Sequence, residues 1–332
     1  MRHFKITAAA ATIATLMTGA ALAGDITVAV PNPSGILLLP IVAAQGEGYF
    51  EQEGVNVNIE ALNGSGAVLQ ALAAGQAQVG NPGAGPFLQA RARDVPVKMI
   101  YRLNPLSSYS LVVPADSDVT DPAGLKGTVI GIGTADGAEA AFARSILTEA
   151  GLTEGEDYSF LVVGDGGQAT AGFLRDDIDA YAAATSDVAI LNQRGVELTP
   201  ITPEKYKTFF GNSLAASEEW LAANPEDVEG FGRALVRGAK WAADPANREK
   251  LIEHIAAENP QEVEDTEFAN ALIDQIIVRQ TPFEPEKGYG YQDQAAWDAW
   301  QDSLVASGDL EAPLPDLSAV YTNEYIDAWN AE

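Results

Sequence analysis

Reactive side chains are scarce in this chain. It contains no cysteine and only two histidines. His3 lies in the first residues, and His254 sits in "REKLIEHIAAENP", an amphipathic helix pattern that predicts a surface or boundary position. No His/Cys group has zinc spacing, and no G-x-S-x-G elbow accompanies His254 as a triad partner. Carboxylates are so numerous that no pair of them is informative. These counts predict neither a catalytic residue, a metal nor a cofactor.

What remains is backbone chemistry in four loops bare of bulky side chains: Asn63-Gly64-Ser65-Gly66, Asn81-Pro82-Gly83-Ala84, Thr134-Ala135-Asp136-Gly137-Ala138 and Ala184-Thr185-Ser186-Asp187. N–H groups at helix starts, helped by the helix dipole, suit oxyanions. Ser34 and Gly35 close the first strand and are expected to form one wall. Tyr101 and Arg102 end the fourth strand, where an aromatic ring and a guanidinium suit a planar or anionic ligand. Tyr109, Asp165 and Asp187 complete the candidate set, the two acids as partners for an ammonium or amidine. Asp136 complicates a purely anionic ligand, because a carboxylate at a helix start competes for the same amides. A zwitterion such as an aminosulfonate, or a neutral heterocycle, fits better.

These loops need a scaffold that ends strands beside one another. "DITVAV" (25–30) and "VNVNIEAL" (55–62) alternate and are β-rich. A helix over 36–45 separates them. A helix over 67–74, a short strand "AQVG", a helix over 87–93 and the strand "VKMIYRL" (97–103) follow. This rhythm signals an α/β sheet with mostly parallel strands, whose ligands bind at the strands' C-terminal ends. Strands over 108–116, 128–133, 158–164 and 178–184 alternate with helices over 134–151, 168–175 and 185–195. Asp136 and Glu139 resemble a capping box, and Thr185 or Ser186 is the expected cap of the last helix. "AVLQALAAGQAQVGNPG" and "TAGFLRDDIDAYAAAT" echo one another as helix, turn, short strand and bare loop, one in each half of residues 25–210. Beyond 213 the chain reads as helical. Asn224-Pro225-Glu226 is a strong helix start, and Trp297, Trp300 and Leu304 form a stripe that predicts core packing.

Arg2, His3 and Lys5, an apolar run from Ile6, and Ala21-Leu22-Ala23 predict a signal peptide over 1–23, cleaved after Ala23. The apolar run is shorter than the ~20 residues of a spanning helix, so no membrane insertion is expected after cleavage. With 19 basic and 47 acidic residues in the whole chain, nucleic acid is an unsuitable partner.

"LLPIVAAQGEGYFEQEGVNVNI", "GSGAVLQALAAGQAQVG", "DPAGLKGTVIGIGTADGAEA", "NPEDVEGFGRALVRGAKWA" and "YTNEYIDAWNAE" together resemble exported solute-binding proteins of the nitrate/sulfonate/taurine type, a family that also includes binders of thiamine pyrimidine precursors. The resemblance covers essentially the whole mature chain. It implies an α/β, two-lobed class II periplasmic binding protein fold, with two mixed sheets flanked by helices and joined by two crossover strands. Lobe one would be 25–107 plus 213–332, and lobe two 108–212. It further implies a monomeric periplasmic receptor that closes on a small-molecule ligand, sulfonate- or taurine-like or a pyrimidine-type heterocycle, and hands it to an ABC permease with a cytoplasmic ATPase. The alternatives are an enzyme of the pyrimidine-phosphate synthase branch, whose histidine and cysteine-rich segment are not matched here, a ligand-binding signalling module, and a chaperone-like protein.

Overall fold

The computed structural model describes residues 24–331, so the expected signal segment 1–23 lies outside the described residues. In chain order the elements begin with β1 (Gly24–Val30), α1 (Leu39–Gly46), α2 (Tyr49–Gln52), β2 (Val55–Ala61), α3 (Gly64–Ala73), β3 (Val79–Gly80), α4 (Ala84–Arg91) and β4 (Val97–Tyr101). A second series follows: β5 (Tyr109–Pro114), β6 (Thr128–Ile132), α5 (Ala138–Glu149), β7 (Tyr158–Val162), α6 (Gly167–Leu174), β8 (Ala180–Ala184), α7 (Thr185–Gln193) and β9 (Leu198–Pro200). The chain then runs through α8 (Glu204–Lys207), β10 (Leu214–Ser217), α9 (Glu218–Ala223), α10 (Pro225–Ala243), α11 (Arg248–Glu258), α12 (Thr266–Gln280), α13 (Gln294–Ser307) and α14 (Ile326–Asn330).

Two mixed five-stranded sheets result, ordered β2-β1-β3-β10-β4 and β7-β6-β8-β5-β9. Four strands of each run in one direction, and a single returning strand, β10 or β5, lies antiparallel between the third and the fourth. The two sheets therefore repeat one design, and the sequence echo maps onto α3–β3–α4 in one and α6–β8–α7 in the other. Val28, Ala29 and Val30 are all buried because helices cover both faces of the first sheet. On α10, Val228, Phe231, Leu235, Ala239 and Ala242 are buried as their spacing requires. The tryptophans of α13 are core: Trp297 stacks on Tyr321, and the Trp300 indole N–H donates to the Phe210 carbonyl at 3.1 Å.

The chain passes between the sheets twice, at 102–108 and 201–213. The two passages are tied together, Gly211 N–H donating to the Asn104 carbonyl at 2.9 Å and the Asn104 side chain to the Asn212 carbonyl at 2.8 Å. Helix starts differ from expectation in an informative way. α3 begins at Gly64 and α4 at Ala84, so Gly64, Ser65, Gly66 and Ala84 are first-turn residues rather than free loop. α5 begins only at Ala138, after an uncapping Gly137, so Asp136 is not its cap. Ala184 precedes α7, and neither Thr185 nor Ser186 caps it.

Candidate functional site

The strands of both sheets end on a shared cleft enclosing about 810 Å3 of atom-free space, part of it open to solvent. The first half contributes Val30 and Pro31 at the end of β1, Leu37 and Leu38, Gly64 and Ser65 of α3, Asn81 after β3, and Ile276 and Arg279 of α12. The second contributes Tyr109, Thr134, Gly137, Glu139, Asp165 and Asp187. Asn104, Ser108 and Asn212 come from the two passages. Strand ends are the right place for a ligand because helix starts and strand carbonyls converge there without backbone of their own to pair with.

Eight expected site residues line this cleft: Gly64, Ser65, Asn81, Tyr109, Thr134, Gly137, Asp165 and Asp187. Asn63 precedes α3 without capping it. Ser186 lies on α7 but does not reach the cleft. Gly66, Ala135 and Asp136 line a separate surface groove between α3, α4 and α5. Tyr101 turns to the opposite face of β4, packing against Trp329. Arg102 leaves the strand end toward α13, pairs with Asp293 and covers the Phe210 ring at 5.0 Å. Both residues belong to packing: as neighbours they point to opposite faces, and each is held by its own partners, Tyr101 by Trp329 and Arg102 by Asp293 and Phe210.

The expectation of free loop amides is corrected by what occupies them. Thr134 N–H donates to the Glu139 carboxylate at 3.0 Å, and Gly166 N–H to Asp187 at 3.0 Å. Gly83 N–H donates to the Ser65 hydroxyl at 3.1 Å, and Gly64 N–H to the Pro31 carbonyl at 3.0 Å. Ser34 and Gly35 serve an internal carboxylate: the Ser34 hydroxyl, Gly35 N–H (2.8 Å) and Ile36 N–H (3.2 Å) all donate to Glu262. The chain's own acids thus sit where an oxyanion was expected. Glu262 holds the turn that aims Leu37 and Leu38 into the cleft. Glu262→Ala is expected to lower unfolding free energy by about 1–3 kcal/mol, because it strands those buried donors; urea denaturation checks this.

The wall of the second half is acidic. Burial and repulsion from Asp165 push Glu139 up to about 7, backbone donors offsetting part of the shift. Asp187 is 5% exposed and is pushed up to about 7 by burial and by Asp165, although the Tyr181 hydroxyl also donates to it at 3.0 Å. Asp165 reaches the open cleft and is raised by desolvation, with no donor to its carboxylate among the described residues. Burial, and then these same acids, raise Tyr109, whose hydroxyl donates to Asn212.

Glu139, Asn104, Asn212 and Arg279 are among the cleft residues that sequence reasoning missed. Glu139 was legible only as a capping acid. Arg279 is brought in by α12 from far along the chain, and its single local signal is its place in the last turn before Thr281-Pro282. The two halves touch beside the cleft. A Cβ on Gly64, whose φ is 83°, would lie 2.8 Å from the Thr134 hydroxyl, and one on Gly83 would overlap the Cβ of Ala138.

A family model described as NMT1/THI5 like matches residues 37–248. The chain is 26% identical over 314 residues to the riboflavin-binding protein RibY of Chloroflexus aurantiacus, covering 91% of this chain and 86% of that one. It is 28% identical over 233 residues to the 4-amino-5-hydroxymethyl-2-methylpyrimidine phosphate synthase of Aspergillus parasiticus, covering 62% and 64%. Its fold matches the alkanesulfonate-binding protein SsuA of Xanthomonas axonopodis pv. citri, solved bound to MOPS, with a TM-score of 0.68 at 17% identity over 90% of this chain and 98% of that one.

Proposed function

The chain belongs to the NMT1/THI5 like family, and on that premise we propose that it is an exported solute-binding receptor that closes on a small nitrogen heterocycle and delivers it to an ABC permease. The observation that carries this reading is a cleft between two sheets, at their strand ends, lined from both halves and from the two passages that join them. A ligand there contacts both halves only when they meet, so it favours the closed state by its differential affinity. We assign lobe one to 25–107 plus 213–332 and lobe two to 108–212, with export and cleavage after Ala23. Among the described residues no helix is long and apolar enough to cross a membrane.

Of the two ligand classes expected from the sequence, the heterocycle is the better supported. A sulfonate or nitrate would meet three carboxylates and amides already occupied by two of them. A heterocycle with amino or hydroxyl donors would meet acceptors instead, over an apolar wall of Val30, Leu37, Leu38 and Ile276. The RibY relative, which matches most of both chains, is named for a heterocyclic ligand. The test is a thermal-shift panel of riboflavin, 4-amino-5-hydroxymethyl-2-methylpyrimidine, taurine and nitrate. A heterocycle at 100 times its Kd is expected to stabilise the protein by about 2.7 kcal/mol, with no shift from nitrate. A shift confined to taurine or nitrate would refute the heterocycle.

The synthase relative favours an enzyme as second reading. Against it, the chain has no cysteine, and His254 lies on α11, bonded to Glu47 at 2.8 Å and packed on Trp241, away from the cleft. Turnover of the pyrimidine by the purified protein would restore this reading.

A further inference from the structure

Charge is distributed unevenly across the cleft. Glu139, Asp165 and Asp187 face it from the second half, and Arg279 from α12 in the first. Among the described residues the Arg279 side chain donates only to the Ser107 carbonyl. Burial lowers it, to about 10, with no carboxylate among the described residues raising it, so it stays charged at neutral pH. Glu139 and Asp187 each feel Asp165, and no arginine among the described residues pairs with any of the three. A cation and an acidic cluster therefore share one cavity without neutralising each other. Asn81, on the same wall as Arg279, is 5% exposed, and its side-chain nitrogen has no partner among the described residues. A buried donor left without an acceptor is costly, and a guest is what would relieve it.

We infer that the two walls read opposite ends of one guest: Arg279 and Asn81 donate to ring carbonyls or ring nitrogens, while Glu139, Asp165 and Asp187 accept from amino or hydroxyl groups at the other end. This rests on the heterocycle reading and sharpens it. It selects molecules whose acceptors and donors are separated by a planar body, and rejects oxyanions without donors as well as purely cationic guests. Arg279 becomes the residue that sets orientation, and Asp165, whose carboxylate has no donor among the described residues, becomes the acid most available to the guest.

Calorimetry with riboflavin, which carries ring carbonyls and a polyol, and with lumiflavin, the same isoalloxazine ring with a methyl in place of the polyol, separates the two ends. Arg279→Gln is expected to weaken both about 10- to 100-fold, the effect of losing a charge-assisted hydrogen bond, while the ligand-free melting temperature holds. Asp165→Asn is expected to weaken riboflavin and spare lumiflavin. If Arg279→Gln binds riboflavin like the wild type, or weakens it only in step with a lower ligand-free melting temperature, Arg279 is not a ligand contact. Equal losses for both probes in Asp165→Asn would overturn the separation of ends. Should the wild type bind neither these probes nor the aminopyrimidine, the heterocycle reading itself falls, and this inference with it.

Discussion

Gly83→Ala is expected to weaken ligand binding about 10- to 100-fold while leaving the ligand-free protein folded and nearly as stable. Gly83 adopts φ −76° and ψ 156°, which alanine accepts without strain. The added methyl has nowhere to go once the halves meet, because it would overlap the Cβ of Ala138 at the start of α5 and lie 3.2 Å from the Asn212 side-chain oxygen. Ala138 is fixed at a helix start, so it cannot swing aside as a long side chain would. Overpacking of this kind costs typically ~1–3 kcal/mol, and here the cost falls on the closed form alone. Affinity drops by the fraction of molecules that can still close. The double variant Gly83→Ala/Ala138→Gly exchanges which side carries the methyl and is expected to recover most of the affinity. Calorimetry on the three proteins, with riboflavin as probe, checks this. An unchanged Kd in Gly83→Ala would mean that binding does not require the halves to meet here.

The same pair of residues shows what was legible beforehand. That "NPGAG" is bare because something approaches its backbone closely could be read from the sequence. What approaches is the other half of the molecule, with a guest beside it rather than on it, and that depends on the three-dimensional meeting of segments some 55 residues apart. The alternation of elements was equally legible, since each short strand is followed by small residues and a helix, and the repeated α3–β3–α4 and α6–β8–α7 units follow from that local grammar; the order of the strands, with β10 and β5 inserted antiparallel, depends on segments distant in sequence. Tyr101 and Arg102 misled because residue type at a strand end does not fix direction; the pleat and the packing partners Trp329 and Asp293 decide it.

Glu139 illustrates a subtler gap. A glutamate in the first turn of a helix is ordinarily read as stabilising the helix dipole, and it does bond back to Thr134. Only the fold reveals that Asp165 and Asp187 join it on one wall, because they follow two other strands that end beside β6. The oxyanion expectation was sound as local chemistry and was overtaken by acids of the chain itself occupying the anion positions.

The acidic wall makes pH the second strong prediction, because Glu139 and Asp187 titrate near 7 in the native cleft and near 4 in an unfolded chain. Below pH 4 both states hold these protons and nothing differs. Between 4 and 7 the unfolded chain releases them first, so native stability falls as pH rises, and above 7 the loss is complete and constant. For Asp187 a rise of roughly 3 units corresponds to about 4 kcal/mol, and the protons leave the trio as a coupled set. Ligand-free wild type is therefore expected to melt at a lower temperature at pH 8 than at pH 5, and Asp187→Asn to flatten that slope. Binding of a donor-bearing guest runs the opposite way. It favours ionised acceptors, so each carboxylate that must shed a proton weakens binding by about 100-fold at pH 5 relative to pH 8. A ligand-induced thermal shift that grows with pH, in a protein whose ligand-free stability shrinks, is the joint signature. A shift that shrinks with rising pH would place an anion on this wall and remove the donor end of the guest.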